Sequence, residues 1–355
     1  MKLGSSSRTA IGVDIGLRTI RAAQLSAANG SALAMSLVPR PRAGGEIGPD
    51  DALALREVLA RQGFKDNRIV LAAPRNAILP AAMELPSKVN GAPIDQIVRL
   101  ELSRLHNLAP DSFEMAYWDL KAAGGTKPVT HTLAVACPHE AANAFLDIFE
   151  DAGFRVVALD VRGAAVARAC EPLLLPAPQV TAILDIGLQS AALLFVCGRS
   201  LLYERPLDPP YLVELTAKLA DVFGITQEAA TQILGTVGPS AKEPTGQFDR
   251  ETLAAVGGHL RTHFEKTLEG LKVPLSYAKH QFPGDGVKRM LLIGSGATVP
   301  DLASYFEPHL GFEVKRADPA SLIDSPPGLL AKASNPALTV AVGLAKFEGG
   351  DGWPM

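Results

Sequence analysis

The chain has 355 residues, of which 47% are hydrophobic and 20% charged, and its formal net charge at pH 7 is -3. A chain of this length is expected to fold as at least two lobes with a sizeable core. The slightly acidic balance provides no basic surface for a phosphodiester backbone, so the composition argues against nucleic acid as a partner.

The beginning of the chain and its cysteines indicate the compartment. Residues 1–10, MKLGSSSRTA, contain no apolar stretch of the kind that a secretory signal requires, so we expect the protein to stay inside the cell. Cys137, Cys170 and Cys197 are far apart and form no CxxC pair. This pattern predicts buried free thiols in a reducing compartment, which favours the cytoplasm.

The first half of the chain alternates predicted strands with predicted helices. In chain order these are a hairpin at 11–25, a helix at 52–64, a strand at 68–74, a helix at 94–108, strands at 113–121 and 130–138, a helix at 140–154, and a strand followed by a helix at 155–172. A proline-rich segment at 172–179 then predicts a boundary between lobes.

The second half begins with a long apolar run at 180–198. Asp185 and Gly187 interrupt this run, which predicts two buried strands joined by a turn rather than a helix across a bilayer. The later predicted elements are helical periodicity over 211–234, a polar loop at 235–250, a helix at 251–272, a strand at 288–296, a helix at 299–311, a strand at 312–319 and a final helix at 336–347.

One short pattern occurs twice in the sequence. IGVDIGLRTIRAAQL at 11–25 and AILDIGLQSAALLFV at 182–196 share a strand, the triplet Asp-Ile-Gly, a polar turn and a second strand. A single turn of this kind is common for backbone reasons alone. Two copies about half a chain apart indicate a duplicated domain.

Three glycine-bearing turns are suited to phosphate groups: Asp14–Gly16, Asp185–Gly187 and Gly294–Ala297. Glycine lets backbone N–H groups come close to a phosphate oxygen, and a nearby carboxylate can hold a hydrated Mg²⁺. We therefore expect Asp14 and Asp185 to face the magnesium of a nucleotide from opposite sides, through water. Three ordinary structural turns remain the alternative.

The order of these motifs resembles that of the actin-like ATPase superfamily, and within it the chain is similar to the PilM family of type IV pilus assembly proteins, which is related to FtsA. The resemblance spans nearly the whole chain and is carried by GVDIGLRTIRAAQL, ILDIGLQSAALLFVCGRSLLYERPL and LLIGSGATVPDLASYFEPHLGFEVKRADP. It implies an α/β fold of two actin-like lobes, which are ribonuclease-H-like duplicated domains, with an inserted strand-helix-strand-strand subdomain in the first lobe.

The resemblance also implies where the lobes begin and end. We expect the first lobe at 8–84 and 156–178, the inserted subdomain at 85–155, the core of the second lobe at 179–210 and 288–348, and a helical subdomain of the second lobe at 211–287.

An ATP site with Mg²⁺ between the lobes is a further implication of the resemblance. Its expected residues are Asp14, Gly16 and Arg21 in the first phosphate turn, Asp185, Gly187 and Ser190 in the second, Gly294, Ser295, Gly296 and Ala297 in the adenosine turn, and Glu269 and Lys272 on the adenine-facing helix. Val273 and Pro274 depart from the family's helix pattern, and Pro274 predicts a kink or an end to that helix.

The function implied by the resemblance is that of a cytoplasmic ATP-binding scaffold, with slow hydrolysis at most. Its expected partner is the N-terminal cytoplasmic tail of a PilN-like bitopic membrane protein, bound in a groove beside the inserted subdomain. Pilus motor ATPases are further candidate partners. The protein would reach the inner membrane through its partner, with no membrane insertion of its own.

Two other functions stay open. A small-molecule kinase of the same superfamily would need a carboxylate base in the cleft, for which Asp160 is the candidate. A scaffold with a vestigial nucleotide pocket would not need the phosphate turns. His259 and His263 are four residues apart, but no glutamate follows His259 as in HExxH, so we expect an exposed helical face rather than a metal site.

Overall fold

The computed structural model describes residues 8–41, 44–86, 92–120, 129–241, 248–282 and 286–347. The strands within these residues are β1 (Ile11–Ile15), β2 (Thr19–Leu25), β3 (Ala32–Pro39), β4 (Arg68–Ala72), β5 (Leu79–Pro86), β6 (Phe113–Asp119), β7 (Val129–Pro138), β8 (Arg155–Asp160), β9 (Val180–Ile186), β10 (Ala191–Cys197), β11 (Ser200–Leu207), β12 (Val287–Ile293) and β13 (Glu313–Arg316).

The helices cover and connect these strands. They are α1 (Pro49–Arg61), α2 (Ile94–His106), α3 (His139–Asp151), α4 (Arg162–Cys170), α5 (Leu212–Phe223), α6 (Gln227–Leu234), α7 (Arg250–Gln281), α8 (Leu302–Leu310), α9 (Pro319–Leu322), α10 (Leu330–Ala333) and α11 (Thr339–Ala345).

Two five-stranded sheets have the same topology, with the orders β3-β2-β1-β4-β8 and β11-β10-β9-β12-β13. In each, three antiparallel strands are followed by two strands that pair in parallel. The hairpins also match in register, since Asp14 pairs with Arg21 and Asp185 with Ala192. The duplication predicted from the repeated sequence pattern is therefore confirmed.

A three-stranded antiparallel sheet in the order β5-β7-β6 is formed by the part of the sequence between β4 and β8, which are both strands of the first sheet. Helix α2 covers one face, where Val98 and Leu102 pack with Phe113 and Ala134. The order of elements is strand-helix-strand-strand, as the resemblance implied. We call β5, α2, β6 and β7 the inserted subdomain.

The packing differs from the expected boundaries at two places. Strand β5 begins before residue 85, and α3 packs Phe149 against Leu55 and Ile69 in the core of the first sheet. Phenylalanines on α3 supply the apolar surface that buries this helix against the first lobe rather than against the inserted subdomain.

The last helix also lies outside its expected lobe. We expected 288–348 in the second lobe, but α11 packs Ala341 and Val342 against Ala23 and Met35 of the first sheet. Helix α4 packs beside it and contributes Val166 to the core shared with the second sheet. The first sheet is thus covered partly by α11 from the second half of the chain, and the second sheet partly by α4 from the first half.

Two glycines let the backbones at this junction touch. A Cβ at Gly343 of α11 would lie 1.9 Å from the carbonyl oxygen of Ala165 in α4. A Cβ at Gly12 of β1 would lie 2.1 Å from the carbonyl oxygen of Ala341. No side chain fits at either position, so glycine sets the closest approach of α11 to α4 and to β1.

The helical part of the second half differs from expectation in three details. The periodic stretch 211–234 is two helices, because Gly224 ends α5 in the left-handed conformation with φ of 62°. Helix α7 continues through Pro274, whose ring is buried together with Leu271 and Ala278, so packing outweighs the lost hydrogen bond. His263 is buried on this helix, and the expected exposed face was wrong for it.

Within the described part of the chain, none of the helices combines the length and the apolar character that a bilayer crossing requires. The run at 180–198 forms β9 and β10, as predicted.

Candidate functional site

The carboxyl ends of β1, β4 and β8 lie at one edge of the first sheet, because these strands run in parallel. Asp14 lies near the end of β1, Arg75 follows β4 and Arg162 begins α4 after β8. Asp185 has the corresponding place in β9 of the second sheet. Ion pairs join these four side chains into one cluster at the edge where α/β sheets commonly bind ligands.

Asp14 is held between two arginines although only 1% of its surface is exposed. Arg21, directly opposite on β2, places Nη1 3.2 Å from Oδ2 of Asp14. Arg162 donates from Nη1 to the other oxygen, Oδ1. Both carboxylate oxygens thus accept charge-assisted hydrogen bonds.

Arg162 also binds Asp185 and so connects the two sheets. Its Nε and Nη2 lie 3.0 and 2.9 Å from Oδ2 of Asp185. Arg75 places Nη2 3.7 Å from the same oxygen. The other oxygen of Asp185, Oδ1, is buried and has no hydrogen-bond partner among the residues that the structure describes.

The arginines determine the protonation of Asp14. Burial alone would raise the pKa of Asp14, but the charges and hydrogen bonds of Arg162 and Arg21 outweigh it and hold the pKa below its ordinary value. Burial acts to lower the pKa of Arg162, yet Asp14 and Asp185 raise it above the ordinary value. Asp14 is therefore an anion and Arg162 a cation at neutral pH.

A third carboxylate, Glu204 of β11, completes the cluster. Burial raises the pKa of Glu204, while the charges of Arg75 and Arg162 act in the opposite direction. A Cβ at Gly163 would lie 2.1 Å from Oε2 of Glu204, so the glycine makes room for this carboxylate at the start of α4. Three acids and three arginines share the site: Asp14, Asp185, Glu204, Arg21, Arg75 and Arg162.

Glycine is required in two of the predicted turns. A Cβ at Gly16 would lie 2.4 Å from Nη1 of Arg21, and one at Gly187 would lie 2.9 Å from the carbonyl oxygen of Ser190. The absence of side chains leaves both turns open to a ligand at their backbone.

The third turn packs directly on the second. Gly294 has a φ of +82°, and a Cβ there would lie 2.5 Å from Oδ1 of Asp185. Ser295 accepts a hydrogen bond at 3.0 Å from Nη2 of Arg21, which joins this turn to the first hairpin. Within the described part of the chain, Nε of Arg21 is buried without a hydrogen-bond partner. Arg21 thus joins the first turn to the third, which packs on the second.

A second contact connects the first hairpin to the helices of the second half. Arg18, in the turn between β1 and β2, places Nη1 3.0 Å from Oγ1 of Thr231 on α6. Its Nη2 also donates to the side chain of Gln227. Arg18 and Arg21 therefore link the first hairpin to the second half of the chain at two separate places.

A cavity of about 780 Å³ opens beside the cluster. The predicted residues that line it are Asp14, Gly16, Arg21, Gly187 and Ser190. Its charged side chains are Arg21, Arg40, Arg75, Arg162, Asp14 and Glu46. The volume suits a ligand the size of a nucleotide, and the four arginines of the lining carry N–H donors of the kind that bind an anion.

The same cavity extends along residues 72–77, which lead from β4 toward the inserted subdomain and include Arg75 and Asn76. Helix α3 forms another wall with Ala141, Ala144, Phe145 and Ile148. The α3 wall is apolar, in contrast to the arginine-rich part of the cavity.

Several predicted residues lie away from the cavity. Gly294, Ser295, Gly296 and Ala297 do not line it, although the first two contact the cluster. Glu269 and Lys272 form an ion pair of 2.8 Å with each other on an exposed face of α7. Asp160, the candidate kinase base, is buried and paired with Arg168 rather than lining the cavity.

The cluster does not fit a hydrated Mg²⁺ in this arrangement. One or two carboxylates suffice to hold that ion through water, but both oxygens of Asp14 and Oδ2 of Asp185 already accept hydrogen bonds from guanidinium groups. Among the described residues, no group of three or more His, Cys, Asp or Glu side chains is placed to hold a metal. The magnesium role of Asp14 and Asp185 stays a prediction.

Sequence reasoning missed Arg75, Arg162 and Glu204. A signal for the two arginines was present, since each follows a strand that pairs in parallel in the first sheet, and parallel strand ends meet at one edge. Glu204 gave no such signal, because β11 is an antiparallel strand and its residues reach the site only through tertiary packing.

Comparisons with known proteins agree with this architecture. A family model described as "Type IV pilus assembly protein PilM" matches residues 12–347. A solved structure described as "PilM-PilN type IV pilus biogenesis complex" is similar at a TM-score of 0.76 and 21% identity, over 95% of this chain and 97% of that chain. A search of curated protein sequences finds none that matches.

Two further solved structures share the fold at lower similarity. The ethanolamine utilization protein EutJ from Carboxydothermus hydrogenoformans matches with a TM-score of 0.55 and 15% identity, over 96% of this chain and 90% of that chain. MreB5 of Spiroplasma citri, bound to ADP, matches with a TM-score of 0.53 and 14% identity, over 97% of each chain. These structures confirm the predicted actin-like fold.

Proposed function

The chain belongs to the PilM family of type IV pilus assembly proteins, and from this premise we propose that it is a nucleotide-binding scaffold of a pilus assembly complex. The observation that carries the proposal is a cavity that combines arginines of the cleft between the two sheets with an apolar groove along α3. One end suits a nucleotide and the other suits a peptide segment.

The nucleotide part of the proposal rests on the cluster. The phosphates of the nucleotide would lie against the open turns at Gly16 and Gly187, where Arg75 and Arg162 supply cationic donors. The turn 294–297, which packs against the cluster without lining the cavity, would lie on the side of the adenosine part. MreB5 of Spiroplasma citri, which shares the fold, is described bound to ADP, and this supports ATP or ADP as the ligand.

The partner part of the proposal rests on the apolar groove. We propose that it holds the N-terminal cytoplasmic tail of a PilN-like bitopic membrane protein, because the related structure is described as a PilM-PilN complex. Through this partner a cytoplasmic protein would be recruited to the inner membrane. Pilus motor ATPases are proposed as further partners.

Calorimetric titration with a synthetic peptide of the PilN-like tail from the same organism tests the groove. Ala144→Arg introduces a long cation into the groove wall and should weaken peptide binding at least about tenfold. Asn143→Arg makes the same change on the neighbouring exposed residue, which does not line the cavity, and should leave binding unchanged. Equal affinity in both variants would contradict the proposed groove.

Titration with ATP and with ADP tests the cleft. Arg75 is partly exposed and not needed to hold the hairpins together, so Arg75→Gln should fold normally and lose about tenfold in nucleotide affinity. Arg61→Gln removes the same charge from an exposed pair on α1 and serves as the control. No nucleotide binding by the wild type would remove the nucleotide part and leave the tail-binding scaffold.

A further inference from the structure

The side chain of Arg162 lies between Asp14 and Asp185. The guanidinium of Arg162 contacts Oδ1 of Asp14 and Oδ2 of Asp185 at the same time. Its side chain is 18% exposed and lines the cavity. A cation that bridges the two carboxylates and also faces the cavity is placed as a bridging metal ion would be.

Both aspartates are paired with arginines. Arg21 and Arg162 contact Asp14, and Arg162 and Arg75 contact Asp185. A divalent ion that coordinated Oδ1 of Asp14 and Oδ2 of Asp185 would have to displace Arg162, which already contacts both oxygens. Such an exchange would cost charge-assisted hydrogen bonds that the cluster already has.

Donors remain for an anion after these bonds are made. A guanidinium has five N–H donors, and Arg162 uses one each of Nε, Nη1 and Nη2 on the two aspartates. Two N–H groups are therefore left on its Nη1 and Nη2. Among the described residues, Nε of Arg21 has no hydrogen-bond partner, and its side chain lines the same cavity. A buried charged donor without an acceptor is unusual.

We propose that Arg162 takes the place of magnesium between Asp14 and Asp185, so that the cleft binds the phosphates of a nucleotide without a divalent metal. This proposal rests on the nucleotide site proposed above. Arg162 acts on the phosphates directly with its two remaining N–H groups, while Arg21 and Arg75 add charge on either side. The aspartates hold these arginines in position instead of holding a metal.

The primary experiment needs only the wild-type protein. ATP and ADP are titrated by calorimetry in excess EDTA and, separately, in millimolar Mg²⁺ at matched ionic strength. The expected result is an affinity in EDTA within about threefold of that in Mg²⁺. Binding that requires Mg²⁺ would overturn this proposal and leave the proposed nucleotide-binding function intact.

Variants at Arg162 add a readout that does not depend on nucleotide. Arg162→Gln leaves Asp14 and Asp185 without their shared cation, so Mg²⁺ should raise the melting temperature of this variant and leave that of the wild type unchanged. Arg162→Lys keeps a positive charge and should resemble the wild type in this assay. Arg61→Gln, on the exposed face of α1, is the matched charge control.

The outcomes separate the two proposals. Stabilisation of the wild type by Mg²⁺ to the same degree as the Arg162→Gln variant would show that the metal displaces Arg162 and would overturn the inference. Absence of nucleotide binding in both buffers would overturn it together with the nucleotide part of the proposed function. The tail-peptide titration would then still decide the scaffold role.

Discussion

The indole Nε1 of Trp118 donates a hydrogen bond to the carbonyl oxygen of Leu201 at 3.0 Å. Trp118 belongs to β6 of the inserted subdomain, and Leu201 belongs to β11 of the second sheet. This hydrogen bond connects the inserted subdomain to the second sheet. The strands that flank the subdomain in sequence, β4 and β8, belong to the first sheet. Because β11 also carries Glu204 of the charged cluster, one strand connects the inserted subdomain to the candidate nucleotide site.

Removing the indole donor should destabilise the protein. Trp118→Phe leaves the carbonyl of Leu201 without this donor and opens space in the core shared by the two sheets. We expect the free energy of unfolding to fall by about 1–3 kcal/mol, measured by urea denaturation with circular dichroism.

A neighbouring tyrosine provides the control for this prediction. Tyr117→Phe removes an exposed hydrogen bond to Asp95 within the inserted subdomain. This change should cost less than about 1 kcal/mol. Equal losses in the free energy of unfolding for Tyr117→Phe and Trp118→Phe would show that the hydrogen bond to β11 contributes no more to stability than an exposed hydrogen bond does.

Asp14 should be far more important for stability than an acid of an exposed ion pair. Asp14→Asn leaves Arg21 and Arg162 without the carboxylate that both contact in the buried cluster. The expected loss is about 3–5 kcal/mol, as for other broken buried pairs. Glu57→Gln breaks the exposed pair with Arg61 and should cost less than about 0.5 kcal/mol. Equal unfolding midpoints for the two variants would refute this reading of the cluster.

Two glycine substitutions should have opposite signs. Gly343→Ala forces a Cβ against the carbonyl of Ala165 at 1.9 Å, so the helices must separate, and we expect a loss of about 3 kcal/mol. Gly270→Ala places a methyl group in open space on α7 and should stabilise the protein by about 0.5–1 kcal/mol. Thermal unfolding of the two variants beside the wild type checks both signs, and a neutral Gly343→Ala would contradict the close approach.

His263 should make stability depend on pH. Burial, helped by the charge of Lys266, lowers the pKa of His263 from 6.5 to about 4. Between these values the unfolded chain binds a proton that the folded protein does not, so stability is full above 6.5 and falls as the pH drops toward 4. The loss should be roughly 2–3 kcal/mol.

Comparison with a variant isolates this effect from other titrating groups. His263→Gln cannot bind the proton, so its stability relative to the wild type should rise between about pH 7 and about pH 4.5, measured by urea unfolding. His259 is less buried on the same helix, and His259→Gln should show a smaller change. A wild type and His263→Gln with parallel pH profiles would disprove the prediction.

Much of the fold was predictable from local sequence signals. The repeated Asp-Ile-Gly pattern identified both hairpins, and the order of elements in the second half gave most of its strands and helices. Boundaries that depend on long-range packing were not predictable in the same way. The apolar faces of α3 and α11 show that these helices are buried, but not against which sheet.

The site was predictable in part for the same reason. Glycines at 16, 187 and 294 are required by local geometry, and the sequence pattern located them. Arg162 lies far from Asp14 along the chain, and only the meeting of parallel strand ends in three dimensions brings their side chains together. A pattern of single residues does not contain that information, so the contact of Arg162 with both aspartates was not predictable.

The backbone contact between Gly343 and Ala165 has a mechanical consequence. Side chains at an interface can change rotamer and absorb a displacement, but two backbones in direct contact cannot. The crossing of α4 and α11 therefore leaves these two helices no room to slide past each other, and a displacement of either one must move both.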